Sequence, residues 1–248
     1  MLGRARILGI ETSGIWGSLA LFSEGRVVLE REHHEENQHA ERMLSHLDSA
    51  LSESGWEKHS LTRVAVSRGP GAFTGIRMGL ALAQGLELGL GLEAVSVCSL
   101  RALAVTGFLD PAGHLEAPAP GSRVIAARDA RRGELFVGVF DANFAPLAEP
   151  AIVASEGARA SLLTLGGGAR CYFVGAICRT LTLACSEGAE TQPELSPGAL
   201  ERFGRVDPHA RAVAWLAQHE ATERSLTPEY LRGPNLIKPK LPPSPFDS

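Results

Sequence analysis

The chain has 248 residues, of which 44% are hydrophobic and 21% charged, and its formal net charge is -4. These values are ordinary for a folded globular protein, and the length suits one large domain or two lobes. The net negative charge argues against a protein that binds nucleic acid by itself. Arg128, Arg131 and Arg132 nevertheless form one local basic patch.

Neither the first residues nor the cysteines point to secretion. The apolar run Ile7–Ile10 is too short for a signal peptide, and Glu11 follows it directly. No C-x-x-C pair occurs, so we expect reduced thiols rather than a disulfide framework or a zinc site at Cys98, Cys171, Cys178 and Cys185. We therefore expect a cytoplasmic protein that does not enter membranes.

Hydrophobic periodicity and turn residues predict the order β-β-β-α-β-α-β-α over residues 1–107. The predicted strands and helices are, in chain order, Arg6–Thr12, Gly17–Phe22, Arg26–Arg31, helix Gln38–Ser54, Arg63–Ser67, helix Thr74–Leu90, Glu93–Val97 and helix Ser99–Gly107. These residues form the predicted N-terminal lobe.

A loop rich in proline and glycine, residues 110–122, predicts the junction to a C-terminal lobe at residues 108–233. This lobe is predicted to contain strands Arg123–Arg128 and Glu134–Asp141, helix Ser155–Leu165, strand Cys171–Ala176 and helix Asp207–Glu220. Residues 234–248 hold many prolines and are expected to be a disordered tail. The sequence shows no internal repeat.

The most informative stretch runs from Ser67 to Gly79, with the sequence SRGPGAFTGIRMG. The triplet Gly69–Gly71 permits a tight turn between a buried strand and a helix. Such a turn gathers backbone N–H groups at one point, which is the usual geometry for binding an anion. A plain strand-to-helix connection is the simpler alternative.

The helix after this turn, Thr74–Leu90, is apolar nearly all round, so it must be covered on nearly all sides. Gly75, Gly79 and Ala83 recur every four residues, so another backbone could approach closely along that line. We expect one face to pack on the chain's own sheet and the other to meet a partner protein.

Other residues give weaker indications of a catalytic or ligand-binding site. Glu11, Thr12 and Ser13 at the end of the first strand could face a phosphate or its metal, or could simply satisfy polar groups of the turn. The histidines are better explained as strand-end and helix-surface residues than as metal ligands. No G-x-S-x-G motif of a serine hydrolase occurs, and Cys98 is expected to be a buried, inert thiol.

Four segments in this order make the sequence resemble the TsaB (YeaZ) family of bacterial tRNA threonylcarbamoyladenosine biosynthesis proteins. They are Ile10–Ser13 (IETS), His39–Leu44 (HAERML), Gly69–Gly79 and Pro228–Arg232 (PEYLR). The resemblance covers residues 6 to about 233, and the glycine motif is its most specific part.

The resemblance implies an α/β fold of the two-lobed actin/Hsp70/sugar-kinase (ASKHA) type. It also implies a non-catalytic subunit that supports the catalytic subunit TsaD in modifying tRNA, with the ATPase TsaE joining the pair and a homodimer forming without TsaD. Helices Gln38–Ser54 and Thr74–Leu90 would form the contact. The implied interface residues are His39, Met43, His46, Leu47, Ala50, Gly75, Met78, Gly79, Leu82, Ala83 and Leu86.

No metal or nucleotide of its own is expected, because ATP and metal would belong to the partner subunits. The H-x-x-x-H pair of the catalytic relative is absent, since Met43 follows His39 at that spacing. Glu11, Thr12, Ser13, Gly69 and Gly71 would line a vestigial nucleotide cleft. Two alternatives remain: an ATP-dependent transferase or peptidase acting in this cleft, and a partner for another modifying enzyme, such as an acetyltransferase.

Overall fold

The computed structural model describes residues 5–34, 39–175, 207–219 and 224–232. Its first half follows the predicted order of strands and helices. The elements are β1 (Arg6–Glu11), β2 (Trp16–Ser23), β3 (Arg26–His34), α1 (His39–Ser54), β4 (Arg63–Ser67), α2 (Phe73–Leu90), β5 (Glu93–Val97) and α3 (Ser99–Thr106). A short 3-10 turn at Lys58–Ser60 was not predicted.

The second half contains one strand that the sequence analysis missed. Its elements are β6 (Arg123–Arg131), β7 (Glu134–Asp141), β8 (Ala151–Ala154), α4 (Ala158–Leu165), β9 (Cys171–Gly175) and α5 (Ala210–His219). Strand β8 is the missed one: it has four residues, none of them buried, and lies at a sheet edge, so it lacks an alternating pattern. The predicted tail lies outside the described residues.

The two β-sheets repeat one topology. The first has the order β3-β2-β1-β4-β5 and the second β8-β7-β6-β9. In each, three antiparallel strands are followed by a helix and a strand that runs parallel to the first strand of the set. The sequence shows no repeat because the two sets share a backbone path rather than residues.

Helices and sheets alternate in layers, and strand alternation assigns each side chain to a layer. Helices α1 and α2 cover one face of the first sheet, where Leu8 and Ile10 point. Helices α3 and α5 lie between the two sheets, against Ile7 and Phe22 on one side and Phe136 on the other. Helix α4 covers the outer face of the second sheet. In the described part of the chain, no helix has the length and apolarity that a membrane crossing requires.

Helix α5 packs on the first sheet, although it falls in the stretch predicted as the C-terminal lobe. It starts at Ala210, three residues later than predicted. Its first turn approaches β1 so closely that a Cβ added at Gly9 would lie 2.3 Å from the carbonyl oxygen of Ala210. Because α5 returns to the first sheet, it helps to fix one sheet against the other.

Candidate functional site

The carboxyl ends of three parallel strands meet at one edge of the first sheet. Glu11 ends β1, Arg68 follows β4 and Cys98 follows β5. Ligand crevices of α/β sheets usually form at such an edge. Strand β6 of the second sheet faces this edge, and the Arg128 side chain crosses from it to Ser13. The predicted cleft residues therefore do lie together.

Contacts within the chain hold the glycine turn between β4 and α2. A Cβ added at Gly71 would lie 2.2 Å from the carbonyl oxygen of Ser13, and the Ala72 N–H donates to that oxygen at 2.7 Å. Gly69 has a φ of 111°, which favours glycine, and its carbonyl accepts the Ser99 N–H at 2.7 Å. The amide just before α2 is thus already paired within the chain.

Glu11, Thr12 and Ser13 are buried and bonded to the chain itself. Glu11 Oε1 accepts the Ser13 N–H at 2.6 Å, and Thr12 Oγ1 donates to the carbonyl of Gly75 at 2.8 Å. Burial raises the pKa of the Glu11 carboxyl, while the charge of Arg128 and hydrogen bonds from Ser13 oppose the rise. This is the arrangement in which these side chains satisfy polar groups of the turn.

Arg128 fills the space in front of this turn. Its Nη1 donates to Ser13 Oγ at 2.7 Å, its Nη2 donates to the Ser13 carbonyl at 3.2 Å, and the Asp207 carboxylate lies 3.5 Å away. The side chain is only 8% exposed. The prediction of one basic patch is therefore wrong for Arg128, because β6 directs it into the cleft, while Arg131–Arg132 are exposed at the hairpin tip.

The surroundings of Cys98, directly after β5, disfavour its thiolate form. Burial and the nearby Glu229 carboxylate raise the pKa of the Cys98 thiol to about 11, so the thiol is protonated at neutral pH. A cavity of about 420 Å³ opens beside it, and Arg68 and Arg101 also line that cavity. Cys98 and Cys171 are both free thiols, while Cys178 and Cys185 lie outside the described residues.

Among the described residues, one group has the composition of a metal site. It consists of Glu30 and Glu32 on β3 and His209 just before α5. His209 Nδ1 lies 3.2 Å from Glu32, and Arg211 forms an ion pair with Glu30. Burial lowers the pKa of His209, but contacts with both carboxylates outweigh it and raise the pKa overall. These interactions describe a buried ion-pair cluster that joins α5 to β3.

Helix α2 turns one line of small residues towards its own sheet. A Cβ added at Gly75 would lie 2.0 Å from the carbonyl oxygen of Thr12, and one at Gly79 would lie 2.3 Å from Thr12 Oγ1. Ala83 continues this line and is buried. The residue that approaches both glycines is therefore Thr12 of the same chain, directly after β1, which is a correction to their assignment to a partner interface.

The side of α2 that turns away from the sheet exposes several apolar residues, beside the exposed Arg77 and Gln84. Leu88 is 86% exposed, Ala81 is also exposed, and Gly85 and Gly89 have open space where a Cβ would be. The predicted interface residues on this helix that reach the surface are Met78, Leu82 and Leu86, which are half-buried. We define this outer face by Met78, Ala81, Leu82, Gly85, Leu86, Leu88 and Gly89.

Helix α1 lies beside α2 and buries most of its predicted interface residues. Met43, Leu47 and Ala50 pack in the chain's own core, so a partner cannot reach them, and this too corrects the predicted interface. His46 is half-buried, and Leu44, which the prediction omitted, is 53% exposed. His39 begins the helix, and its side chain is outside the described part. Apolar spacing alone could not separate the inward positions from the outward ones.

Residues 224–232 form a strap across both cores. The Glu229 N–H donates to the Arg68 carbonyl at 2.8 Å, and the Glu229 carboxylate accepts a bond from Arg68 Nε at 3.2 Å. Tyr230 accepts a hydrogen bond from Arg77 Nε at 2.8 Å, and Arg232 forms an ion pair with Glu134 on β7. The PEYLR motif thus ties the start of α2 to the second sheet.

Comparisons with known proteins bear on both the fold and this site. A family model described as "TsaD: tRNA N6-adenosine threonylcarbamoyltransferase" matches residues 30–158, slightly more than half of the chain. The chain is 35% identical over 133 residues to the tRNA threonylcarbamoyladenosine biosynthesis protein TsaB of Escherichia coli, covering 53% of each. It is 30% identical over 134 residues to TsaB of Bacillus subtilis, covering 54% of each. The chain belongs to the TsaB (YeaZ) family.

A solved structure of this family supports the assignment over most of the chain. YeaZ from Pseudomonas aeruginosa superposes with a TM-score of 0.66 at 26% identity, covering 92% of this chain and all of that one. This match and the two repeated sheets confirm the predicted α/β fold of the actin/Hsp70/sugar-kinase type. The sequence matches span about half the length of the curated TsaB relatives.

Proposed function

We propose that this TsaB-family chain is a non-catalytic subunit of the machinery that makes threonylcarbamoyladenosine in tRNA. Its role would be to bind and support a TsaD-type catalytic subunit, in the cytoplasm. The observation that carries the proposal is the outer face of α2, where Leu88 is 86% exposed and Gly85 and Gly89 have open space around them. Monomeric proteins rarely expose an apolar surface of this kind, and such a surface usually marks a contact with another protein.

The shape of this face favours a helical partner. Ala81, Gly85 and Gly89 lie four residues apart on the surface and have no side chain beyond a methyl group, so a second helix could approach closely. Leu44 on the neighbouring α1 is also an exposed leucine. We therefore propose that a helix pair of TsaD packs on α1 and α2, and that a second copy of this chain takes its place when TsaD is absent.

The remaining parts of the proposal concern cofactors and the third subunit. We propose that the cleft of this chain holds no ATP or metal of its own and that both act on the partner subunits, including a TsaE-type ATPase. The internal bonds of Glu11, Thr12 and Ser13 and the buried Arg128 guanidinium support this part. They also weigh against the alternative of a transferase or peptidase acting in this cleft. Calorimetric titration of the protein with ATP and magnesium should be silent, and saturable binding would revive that alternative.

Light-scattering chromatography of the protein alone and mixed with its TsaD-type partner tests the platform role. We expect a homodimer that converts to a heterocomplex. Leu88→Glu should prevent both assemblies, because it places a charge at the most exposed leucine of the apolar face. Leu163→Glu is the matched control, since Leu163 is an exposed leucine on α4 of the other sheet. A heterocomplex that survives Leu88→Glu would show that the contact lies elsewhere.

A further inference from the structure

A strip of arginine and aromatic side chains crosses the cleft end of the molecule. At the start of α2, the Arg77 guanidinium carbon lies 3.8 Å from the centre of the Phe73 ring, and Phe73 stacks on Tyr230 with ring centres 4.8 Å apart. Two residues further along the strap, Arg232 forms an ion pair with Glu134. We call Phe73, Arg77, Arg131, Arg132, Tyr230 and Arg232 the basic strip.

The strip continues onto the hairpin between β6 and β7. Glu134, which holds Arg232, pairs in the ladder with Arg131, and the tip of the hairpin is Arg132–Gly133. Arg131 and Arg132 are both exposed. The contacts thus run without interruption from the first turn of α2 through the strap to the tip of the second sheet.

The backbone of this hairpin tip is unusual for arginine. Arg131 has a φ of 65° and Arg132 a φ of 59°, and Gly133 follows with 72°. Left-handed conformations are costly for residues other than glycine, asparagine and aspartate, and two-residue hairpin turns of this kind favour Asn-Gly. Strain of this kind at an exposed site is often linked to function.

The charge of the strip also stands out in this chain. In the described part of the chain, Arg232 of the strip pairs with Glu134, and Asp129 accepts the Arg131 N–H at 2.7 Å. The whole chain has a net charge of -4, so the positive charge is local. Exposed arginines interleaved with stacked aromatic rings are the usual surface for the phosphates and bases of RNA.

We infer that the basic strip binds the sugar-phosphate backbone of tRNA. This inference rests on the proposed function, because tRNA is the substrate of that machinery. The strip begins at Arg77, which lies on the same helix as Met78 of the outer face. A tRNA held by the catalytic partner on that face could therefore extend over the strip, and the arginines would neutralise its phosphates.

The experiment measures binding of an unmodified tRNA transcript by fluorescence anisotropy at several salt concentrations. The protein is used in its complex with the TsaD-type partner and, at low salt, alone. In Arg131→Asn/Arg132→Asn, asparagine suits the left-handed backbone and removes both charges. We expect about tenfold weaker binding, and a slope of log affinity against log salt that becomes shallower by about one for each lost phosphate contact. The melting temperature should stay the same or rise.

Two further variants serve as controls. Arg131→Lys/Arg132→Lys keeps both charges and should retain affinity within about threefold, since phosphate contacts depend mainly on charge. Arg26→Gln removes an exposed arginine at the opposite end of the first sheet and should leave binding unchanged. Wild-type affinity and salt slope in the asparagine variant would overturn the inference.

The outcomes also separate this inference from the proposed function. If the wild-type protein forms no complex with the TsaD-type partner, the platform role fails, while binding of tRNA by the protein alone still tests the strip. If the asparagine variant keeps its tRNA affinity but loses the partner, the strip is a protein contact and the inference is wrong. If the complex forms and only tRNA binding falls, both proposals stand.

Discussion

Helix α2 carries two lines of small residues at four-residue spacing, and their environments are opposite. Gly75, Gly79 and Ala83 are buried, and a Cβ on either glycine would collide with Thr12, directly after β1. Ala81, Gly85 and Gly89 lie on the surface, where the glycines have open space around them. The same residue types thus permit close packing inside the chain on one face and leave room for a partner on the other.

The comparison shows why the interface prediction mixed inward and outward positions of α2. A repeat of small residues indicates that a backbone approaches closely, but it does not identify the chain to which that backbone belongs. Here the inner glycines meet Thr12 of the same chain, and six of the eleven predicted interface residues are buried within the chain. The predicted interface residues of α2 that remain at the surface belong to the outer face. The contact of this face with a partner protein is a proposal.

The largest expected difference in stability is between a charge placed on the inner line of α2 and a charge placed on its outer line. Ala83→Glu should lower the free energy of unfolding by about 3 kcal/mol or more, because it buries an unpaired carboxylate. Ala81→Glu should leave stability within about 0.5 kcal/mol, because Ala81 is exposed. Urea denaturation followed by circular dichroism measures both. Equal stabilities for the two variants would contradict the assignment of Ala83 to a buried face and Ala81 to an exposed one.

A methyl group is a milder test of the inner line. Gly75→Ala should cost about 2 kcal/mol, because the new Cβ would lie 2.0 Å from the Thr12 carbonyl oxygen and backbone must shift to accommodate it. The gain in helix propensity offsets only part of this cost. Thermal and urea unfolding of the purified variant give the value. An unchanged midpoint would mean that α2 can move away from β1 without loss.

Glu11, at the end of β1, makes the stability of the protein depend on pH. The folded-state pKa of Glu11 is raised, so the folded protein binds this proton more tightly than the unfolded chain does. Wild-type stability should therefore fall as pH rises from the ordinary value of 4.5 through the folded-state pKa. Glu11→Gln keeps an acceptor for the Ser13 N–H but cannot ionise. It should be more stable than wild type at neutral pH, because it avoids the cost of ionising a buried carboxyl group.

Urea titrations of both proteins between pH 4 and pH 8 measure this difference. The advantage of Glu11→Gln should disappear towards the acid end, where the carboxyl is protonated in both states. Parallel stability profiles across this range would show that the Glu11 carboxyl is not perturbed.

The smallest effect is expected on the outer line. Gly85→Ala should raise the free energy of unfolding by about 1 kcal/mol, because alanine is the better helix former and the site is open. The same methyl group would lie in the proposed partner contact and should weaken the heterocomplex. Thermal unfolding and light-scattering chromatography separate the two effects. A variant that is destabilised would show that the outer face is already packed within the chain.

Sequence patterns predicted most of the fold because its elements have strong local signals. The order of the first eight elements follows from alternating and helical periodicity, and the glycine turn sits between β4 and α2 as predicted. Strand β8 escaped because a short edge strand carries no such pattern. The matching topology of the two sheets escaped because backbone pairing can repeat without any repeat in the residues.

The sequence by itself determined the family, the α/β class and the presence of a helix that is apolar nearly all round. These properties depend on local spacing and on the specific glycine motif. Only the tertiary structure decided which glycine line faces β1, that Arg128 enters the cleft, and that the strap joins Arg77 to the hairpin of Arg131 and Arg132. Each of these contacts joins residues far apart in the chain, and periodicity gives no information on which distant segments come together.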